Sequence, residues 1–452
     1  MLQSASLVRL LLSRAATQLS GLSSSSAASS ALSRGYADHA GVASSPQQQK
    51  YIDREDKYGA HNYAPLPVVL SKGKGVFVWD IDGKRYYDFL SAYSAVNQGH
   101  SHPKIVAALV DQVNKMALTS RAFYNDALGE YEEYVTRLFG YDKVLPMNTG
   151  VEGGETAVKL ARRWGYDVKG VPRYDAKVLF AKGNFWGRTM SAISTSSDPS
   201  SYSGFGPFMP GFETIPYNDL GALEAALEAD PNIVAFMVEP IQGEAGVVVP
   251  DDGYLAGAHA LLKKHNALLI ADEVQTGLCR TGRMLACDWE GVKPDLLVLG
   301  KALSGGVYPV SAVLARDEIM LTIGRGQHGS TYGGNPVAAK VAQAALQVLV
   351  DEKLAHNADV LGAQLRRELT ALAAESGGLV GLVRGKGLLN AVVINERPGV
   401  GAWEICLKLQ SLGLLAKPTQ RNVIRFAPPL TMTADQLAEC CAIIRKAVLS
   451  FV

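Results

Sequence analysis

Short, continuously apolar runs alternate with amphipathic stretches from about residue 100 onward. The runs at 177–181, 233–239, 267–272 and 296–299 consist almost entirely of apolar side chains, which is typical of strands buried on both faces of a parallel sheet. Helical periodicity fills the intervals between them, as in 220–229. Strands that alternate with helices predict an α/β domain around a mostly parallel sheet.

The two ends of the chain carry other patterns. Residues 75–87 read as two short strands around Asp82-Gly83, which predicts a β-hairpin. The C-terminal part begins with two long helical patterns and ends in a smaller α+β pattern. We therefore predict a large domain at 96–345 and a smaller α+β domain built from both termini, with an N-terminal segment at 51–95 and a C-terminal part at 346–452.

The N-terminal leader differs in composition from everything after it. It contains three arginines, a serine–alanine tract at 23–30 and no acidic residue before Asp38. An Arg-rich, Ser-rich and acid-free leader is typical of an organellar transit peptide. We therefore predict a transit peptide at 1–37 and a polar linker at 38–50, with the mitochondrion as the expected destination and the plastid as the alternative. A disordered tail that carries no targeting signal would have the same composition.

Composition and charge exclude several classes of protein. The chain is 48% hydrophobic and 19% charged, with a net charge of +1, so no basic field attracts nucleic acid or anionic lipid. No apolar run reaches the roughly 18–20 residues of a membrane helix. The five cysteines suit buried side chains in a reducing compartment, with a regulatory thiol as the alternative, and the eight histidines show no metal-ligand spacing. These features predict a soluble protein without a metal site and without nucleic-acid or membrane partners.

Polar residues follow two of the apolar runs, where α/β sheets bind ligands. Asp272 ends one run, and Lys301 directly follows the next. Taken singly, the aspartate reads as a helix cap and the lysine as a side chain that reaches solvent. One βαβ-type step separates them, however. A desolvated amine can form a Schiff base and a carboxylate can keep a pyridinium nitrogen protonated, so the pair indicates a pyridoxal 5'-phosphate site.

A phosphate-binding element is also present. Thr149 and Gly150 precede a helical run, whose first N–H groups and dipole attract a phosphate. Phe185 and Arg188 follow the run at 177–181 and supply an aromatic face and a cation. Each feature has an ordinary alternative, a simple helix cap for the first and surface or core residues for the second. Their order along the chain strengthens the prediction.

Five motifs in this order resemble the class III (omega) aminotransferases of fold type I: Thr149-Gly150-Val151-Glu152, Asn184-Phe185-Trp186-Gly187-Arg188, Glu239-Pro240-Ile241-Gln242-Gly243-Glu244, Ala271-Asp272-Glu273-Val274-Gln275-Thr276-Gly277 and Gly300-Lys301-Ala302. Further stretches, at 58–63, 91–100, 329–336 and 424–429, resemble the branch of that family that acts on ornithine. The resemblance extends from about Tyr51 to the C-terminus. It implies a large domain with a mostly parallel, seven-stranded sheet.

The resemblance implies a role for each cofactor-site residue. Lys301 would form the Schiff base and later carry a proton between substrate and cofactor, and Asp272 would pair with the pyridinium nitrogen. The others would hold the ring and the phosphate: Gln275 at the phenolic oxygen, Val274 and Phe185 on the two faces of the ring, and Gly150 and Val151 at the phosphate through backbone N–H groups. Thr331 would reach the phosphate of a partner subunit, which implies at least a homodimer.

The resemblance also implies the substrates, namely ornithine and 2-oxoglutarate, with glutamate as a product. Tyr63 and Arg188 would bind the α-carboxylate end of ornithine, and Tyr93 would shape the pocket so that the δ-amine reaches the cofactor. Arg425 would bind the α-carboxylate of 2-oxoglutarate and glutamate through a bidentate pair. Glu244 would cover that arginine while ornithine is bound, although it also reads as an ordinary polar loop residue.

The sequence departs from the ornithine branch at Gly153, where alanine is more usual, and many class III relatives have a hydroxyl side chain in place of Val151. Neither position touches the chemistry. The implied activity is a ping-pong transfer of the ornithine δ-amino group to 2-oxoglutarate. Acetylornithine or 4-aminobutyrate are the alternative substrates. A catalytically silent binding protein on the same fold would be expected to lack Lys301 or Asp272, and both are present.

Overall fold

The protein is described by a computed structural model over residues 44–452. Its contacts divide the chain into an N-terminal unit that ends at Val68 and a large unit at Val69–Val452. The predicted transit peptide, 1–37, and the first part of the predicted linker, 38–43, lie outside the described residues.

The N-terminal unit contains one helix, α1 (Pro46–Tyr58), among its described residues. Ser45 accepts a hydrogen bond from the Gln48 N–H at 3.1 Å, and proline occupies the first helical position, where its missing N–H costs nothing. The helix therefore begins inside the range predicted as linker, 38–50, because a serine–proline start signal outweighs the polar composition.

The large unit is organised around a seven-stranded sheet. Its strands, in the order in which they lie side by side, are β4 (Lys143–Met147), β10 (Ser311–Ala315), β9 (Leu296–Leu299), β8 (Leu268–Asp272), β7 (Ile233–Val238), β5 (Lys177–Ala181) and β6 (Phe212–Ile215). Strand β10 is antiparallel to both of its neighbours, and the remaining pairs are parallel. The predicted α/β fold with a mostly parallel, seven-stranded sheet is confirmed.

Helices cover the sheet and bury its apolar strands. Every residue of β7, β8 and β9 is buried, as the continuous apolar runs predicted. The longer helices of the large unit are α2 (Pro103–Lys115), α3 (Leu128–Phe139), α4 (Gly150–Trp164), α5 (Leu220–Ala229), α6 (Tyr254–Lys264), α7 (Pro336–Asp351), α8 (Leu354–Glu375), α9 (Ala402–Ser411) and α10 (Ala434–Leu449). Short helical turns occur at Ser91–Ser94, Met190–Ile193, Pro199–Tyr202, Ala286–Glu290, Lys301–Ser304 and Asp317–Met320, and α4 continues as a π-helical turn at Gly165–Lys169.

Two four-stranded sheets complete the large unit. One has the order β1 (Leu70–Lys74), β2 (Phe77–Asp80), β3 (Arg85–Asp88), β13 (Leu414–Leu415); the other has the order β11 (Val380–Lys386), β12 (Leu389–Ile394), β15 (Val423–Phe426), β14 (Lys417–Thr419). Strands β2 and β3 form the predicted hairpin. Because β13 pairs with β3, segments from both ends of the unit share one sheet. The domain boundaries 51–95, 96–345 and 346–452 stay a prediction, since residues 69–452 form one unit.

The cysteines lie mostly in the interior of the protein. All five thiols are unpaired; four of them are buried and Cys441 is half-buried. Within residues 44–452, no helix combines the length and apolar character needed to cross a membrane.

Candidate active site

The predicted aspartate and lysine lie at the same edge of the seven-stranded sheet. Strands β8 and β9 are parallel, with Asp272 opposite Val298, so both strands end on that side. Asp272 is buried, and its Oδ1 accepts a hydrogen bond from the Val274 N–H at 3.1 Å. Burial raises the pKa of Asp272 to about 6, while the Val274 N–H and the Lys301 ammonium act in the opposite direction.

Lys301 begins the turn that follows β9. Burial lowers the pKa of its amine to about 8, and the carboxylates of Glu244 and Asp272 limit that fall. The residue has a φ of 44°, a left-handed conformation that is strained for a side chain with a Cβ and is concentrated at functional sites. The site thus contains an amine that is partly neutral near neutral pH, together with a buried carboxylate.

A narrow cradle lies beside these two groups. A Cβ added to Gly150, the first residue of α4, would lie 2.9 Å from Val274 Cγ1, and one on Gly300 would lie 3.3 Å from the same atom. Thr149 caps the helix by accepting from the Glu152 N–H, and the first N–H groups of any helix have no partner within it. An amine, a buried carboxylate, an apolar wall and a helix N-terminus form a donor set that fits pyridoxal phosphate.

A second carboxylate at this edge was missed as a functional candidate. Glu239 follows β7, and its two oxygens accept from the Phe185 N–H at 2.9 Å and from the Gly243 N–H at 3.2 Å. Burial, and secondarily the charge of Asp272, raise its pKa to about 8. The carboxyl therefore ties the loop of Phe185 to the loop of Glu244. The signal was available, because an acid directly after a fully apolar strand needs partners.

The third sheet of the large unit, formed by β11, β12, β15 and β14, contributes a buried guanidinium. Arg425, on β15, is 1% exposed, and its Nη1 donates to Glu244 Oε1 at 3.0 Å and to Gln275 Oε1 at 2.9 Å. Gln275 Nε2 in turn donates to Glu244 Oε1 at 3.1 Å. Burial raises the pKa of Glu244, but Arg425 and Lys301 outweigh that effect and hold it below the ordinary value. Three side chains, one from strand β15 and two from separate loops, thus form one polar cluster.

The cluster depends on a glycine. A Cβ on Gly243 would lie 2.5 Å from Gln275 Oε1, so a side chain there would displace the glutamine. The backbone carbonyl of Glu244 accepts from Thr419 Oγ1 at 3.1 Å and from Gln420 Nε2 at 2.9 Å. The loop of Glu244 is therefore fastened to the sheet that carries Arg425.

The other predicted site residues are placed as follows. The Tyr93 ring lies beside the polar cluster, with its centroid 4.7 Å from Arg425 Cζ. Arg188 is exposed; its Cζ is 5.7 Å from the Phe185 ring centroid and its Nη1 is 3.4 Å from Ser201 Oγ. Tyr63 belongs to the N-terminal unit and is 73% exposed.

Two loop segments, those of Gly187 and Thr331, lie beside the start of α4. Val151 lies against Gly187, where an added Cβ would come within 2.3 Å of Val151 Cγ2. Thr331 is exposed, and the neighbouring Ser330 Oγ accepts from Asn148 Nδ2 of the same chain at 2.9 Å. The segment that carries Thr331 therefore lies beside the predicted phosphate-binding turn.

Arg280 is a buried cation that the sequence did not single out. Its guanidinium donates to Asn97 Oδ1, to the Leu388 carbonyl at 3.1 Å and to the Pro428 carbonyl at 2.6 Å. Burial lowers its pKa to about 9; the Asp88 carboxylate limits that fall and the neighbouring Arg425 adds to it. The residue joins the loop after β8 to the third sheet. An arginine in a glycine-flanked loop reads as solvent-exposed, so no local signal could have revealed this role.

A lysine and an aspartate at adjacent strand ends, with a glycine-lined helix start beside them, define a pyridoxal-phosphate-dependent transaminase of fold type I. The family Aminotransferase class-III matches residues 58–448. The chain belongs to this family.

Relatives within the family carry the names of ornithine and acetylornithine aminotransferases. The chain is 65% identical over 407 residues to the ornithine aminotransferase, mitochondrial, of Rattus norvegicus, covering 90% of this chain and 92% of that protein. The crystal structure of the ornithine aminotransferase from Toxoplasma gondii ME49 is 50% identical, with a TM-score of 0.88, and the match covers 89% of this chain and 95% of that one. The acetylornithine aminotransferase from Elizabethkingia anophelis is 57% identical, with a TM-score of 0.82 and coverages of 89% and 99%.

Proposed function

We propose that this chain is an ornithine δ-aminotransferase. It transfers the δ-amino group of L-ornithine to 2-oxoglutarate in two half-reactions and yields glutamate and glutamate 5-semialdehyde, which closes to pyrroline-5-carboxylate. The observation that carries the proposal is the cluster of Arg425, Glu244 and Gln275, in which the charges of Glu244 and Arg425 act on Lys301 in opposite directions. Glu244 thus occupies the guanidinium that would otherwise bind a carboxylate of 2-oxoglutarate.

Lys301 and Asp272 perform the proton chemistry. Pyridoxal phosphate, when bound, supplies an electron sink for the carbon that bears the reacting amino group. Lys301 Nζ would hold the cofactor and, after the substrate amine has replaced it, accept a proton from that carbon and deliver it to the cofactor. A pKa near 8 suits this work, because a general base is most effective when its pKa lies close to the working pH. Asp272 would keep the pyridine nitrogen protonated, which stabilises the carboxylate in a buried site.

Arg425 and Glu244 would select which amine reacts. An uncovered guanidinium attracts the α-carboxylate of any amino acid and thereby presents its α-amine. With Glu244 at 3.0 Å the charge is neutralised, so ornithine enters with its δ-amine toward Lys301. In the second half-reaction the α-carboxylate of 2-oxoglutarate replaces Glu244 on the arginine. Gln275, which bonds to both side chains, would also contact the phenolic oxygen of the cofactor.

The remaining contacts are proposed from the family resemblance and the local geometry. Tyr93 would shape the ornithine pocket, which its position beside Arg425 supports. Tyr63 and Arg188 would bind the α-carboxylate end of ornithine; for these two the resemblance alone is the argument. Phe185 and Val274 would enclose the cofactor ring.

We propose a homodimer or higher homo-oligomer in which Thr331 reaches the partner's phosphate site. Thr331 is exposed in the chain, as an intersubunit contact requires. Large apolar side chains are also exposed among the described residues, including Phe123 at 75%, Tyr124 at 102% and Tyr332 at 54%. Such side chains are enriched at interfaces.

The proposed location is the mitochondrial matrix. The Arg-rich leader at 1–37 supports import, and the relative from Rattus norvegicus is named mitochondrial. A fluorescent protein fused to residues 1–50 should collect in mitochondria. Collection in plastids, in a cell that has them, would favour the alternative.

The first test is a single half-reaction. Protein without residues 1–43, loaded with cofactor, is mixed with ornithine in the absence of a keto acid. We expect the visible absorption of the bound cofactor to change and o-aminobenzaldehyde to trap a pyrroline-5-carboxylate adduct. The 57% identical acetylornithine aminotransferase makes acetylornithine the second candidate substrate. A response to acetylornithine or 4-aminobutyrate but not to ornithine would refute the proposal and leave the fold and Lys301 chemistry in place.

A further inference from the structure

Four consecutive residues with side chains adopt left-handed backbone conformations beside the polar cluster. The φ angles of Ser91, Ala92, Tyr93 and Ser94 are 51°, 46°, 61° and 71°. Each such residue costs on the order of 1–2 kcal/mol, and runs of them are unusual because only glycine adopts this region freely. The strain persists only where the surrounding structure holds the turn in place.

The carboxylate of Asp88 holds the turn at 91–94 in place. Its Oδ1 accepts hydrogen bonds from the Leu90 N–H at 2.8 Å and from the Ser91 N–H at 2.9 Å. Its Oδ2 lies 2.7 Å from His100 Nε2, which fixes the carboxylate from the other side. Both N–H groups belong to the entry of the turn, where the backbone departs from the conformation of β3. A charged acceptor makes such bonds shorter and stronger than neutral ones.

The turn places Tyr93 against the substrate machinery. Ser91 and Ser94 are buried, whereas Ala92 is exposed. Both ends of the turn are therefore packed in the interior, and its middle reaches the surface. Within the turn, the Ala95 N–H donates to the Ser91 carbonyl at 2.8 Å. The Tyr93 ring centroid then lies 4.7 Å from Arg425 Cζ. In a relaxed, right-handed turn the side chain would leave the backbone in a different direction.

We propose that Asp88 is a positioning residue for substrate selection: its carboxylate holds the strained turn and thereby keeps Tyr93 against Arg425. The inference rests on the proposed function, in which Tyr93 shapes the ornithine pocket. Asp88 acts through the turn and not by contact with the reacting atoms.

Asp80 provides a matched control in the same sheet. It is equally buried, its Oδ1 accepts from the Asp82 N–H at 3.0 Å and the Lys84 N–H at 2.9 Å, and its Oδ2 accepts from Tyr86 at 2.7 Å. The turn that Asp80 holds is the β2–β3 hairpin, which carries no residue of the site. Loss of either aspartate should therefore destabilise the fold to a similar degree.

The test compares Asp88→Ala, Asp88→Asn and Asp80→Ala in the full-length, cofactor-loaded enzyme. For each we measure kcat/KM for ornithine divided by kcat/KM for 4-aminobutyrate, together with amide hydrogen exchange in the peptide 89–96. Asp88→Ala should speed exchange and lower the ratio about tenfold, because both N–H bonds that hold the turn are lost. Asp88→Asn keeps an acceptor oxygen and should rescue most of the ratio. Asp80→Ala should leave both quantities close to the parent values.

An unchanged ratio in Asp88→Ala, or an equal fall in Asp80→Ala, would overturn the inference. If Asp88→Ala does not fold, Asp88→Ser replaces it, since its hydroxyl can accept one of the two N–H groups. A fall of about threefold then supports the inference and no fall overturns it. If the parent enzyme does not use ornithine, the proposed function fails. The acetylornithine to 4-aminobutyrate ratio then decides the inference by the same criteria.

Discussion

Removal of Glu244 should convert a δ-selective site into one that favours α-carboxylates. In Glu244→Ala, Arg425 Nη1 loses its 3.0 Å bond to the carboxylate and keeps the 2.9 Å bond to Gln275. Arg425 is 1% exposed, so water can replace the lost interaction only through the space that the Glu244 side chain vacates. Any ligand carboxylate that reaches the guanidinium then gains the stabilisation that Glu244 now provides.

The size of the effect follows from the contact. A hydrogen bond to a charged group contributes about 1.5–3 kcal/mol, which corresponds to roughly 10–150-fold in affinity. Because the Glu244 side chain is 25% exposed, we place the gain near the lower end. The KM for glutamate should fall about tenfold. The protein itself should lose about 2 kcal/mol of unfolding free energy, less than the loss of a fully buried pair.

The assay is a stopped-flow comparison of the two half-reactions. Glutamate should react at lower concentrations than in the parent enzyme. With ornithine, the o-aminobenzaldehyde adduct formed per cofactor consumed should decrease, because the α-amine now enters in part. The control is Glu396→Ala, which removes an ion pair with Arg421 beside the ends of β12 and β15 and should change neither quantity. An unchanged KM for glutamate together with an unchanged adduct yield would refute the gating role of Glu244.

Three further outcomes are expected from single positions. Lys301→Ala should reduce turnover by at least about a thousandfold with an unchanged circular dichroism spectrum; activity above that level would show that another group performs the proton transfer. In the cofactor-free protein, burial lowers the pKa of Lys301 to about 8, so its neutral amine accumulates as the pH rises through that value. Acetylation of Lys301 followed by mass spectrometry should show a midpoint near 8, whereas a midpoint near the ordinary value of 10.5 would contradict the burial argument. Ser91→Gly should be about 1 kcal/mol more stable to urea than Ser91→Ala, because glycine relieves the left-handed strain; equal stabilities would mean that the turn is unstrained.

The periodicity of the sequence predicted most of the sheet. The run at 177–181 became β5 and the run at 296–299 became β9, both without a shift in boundary. A fully buried parallel strand leaves a continuous apolar run, so the pattern is unambiguous. The helix 220–229 was equally well delimited, because Asp219 caps it by accepting from the Ala222 N–H.

Other features of the site could not be read from local pattern. The bonds of Gln275 to Glu244 and Arg425 join three segments that are far apart in sequence, and only the fold brings them together. The left-handed turn at 91–94 contains no glycine, the residue that normally signals such a conformation. Its cause is the buried carboxylate of Asp88, which in sequence is one more acidic residue at the end of a hairpin.

The tight contact between Gly243 and Gln275 has an evolutionary consequence. Because a Cβ at 243 would lie 2.5 Å from the glutamine oxygen, a side chain at 243 requires a change at 275. A relative with a side chain at 243 must shorten or redirect the residue at 275, and Arg425 then loses one of its hydrogen-bond partners. Paired substitution at these two positions should therefore mark lineages whose substrate preference has changed.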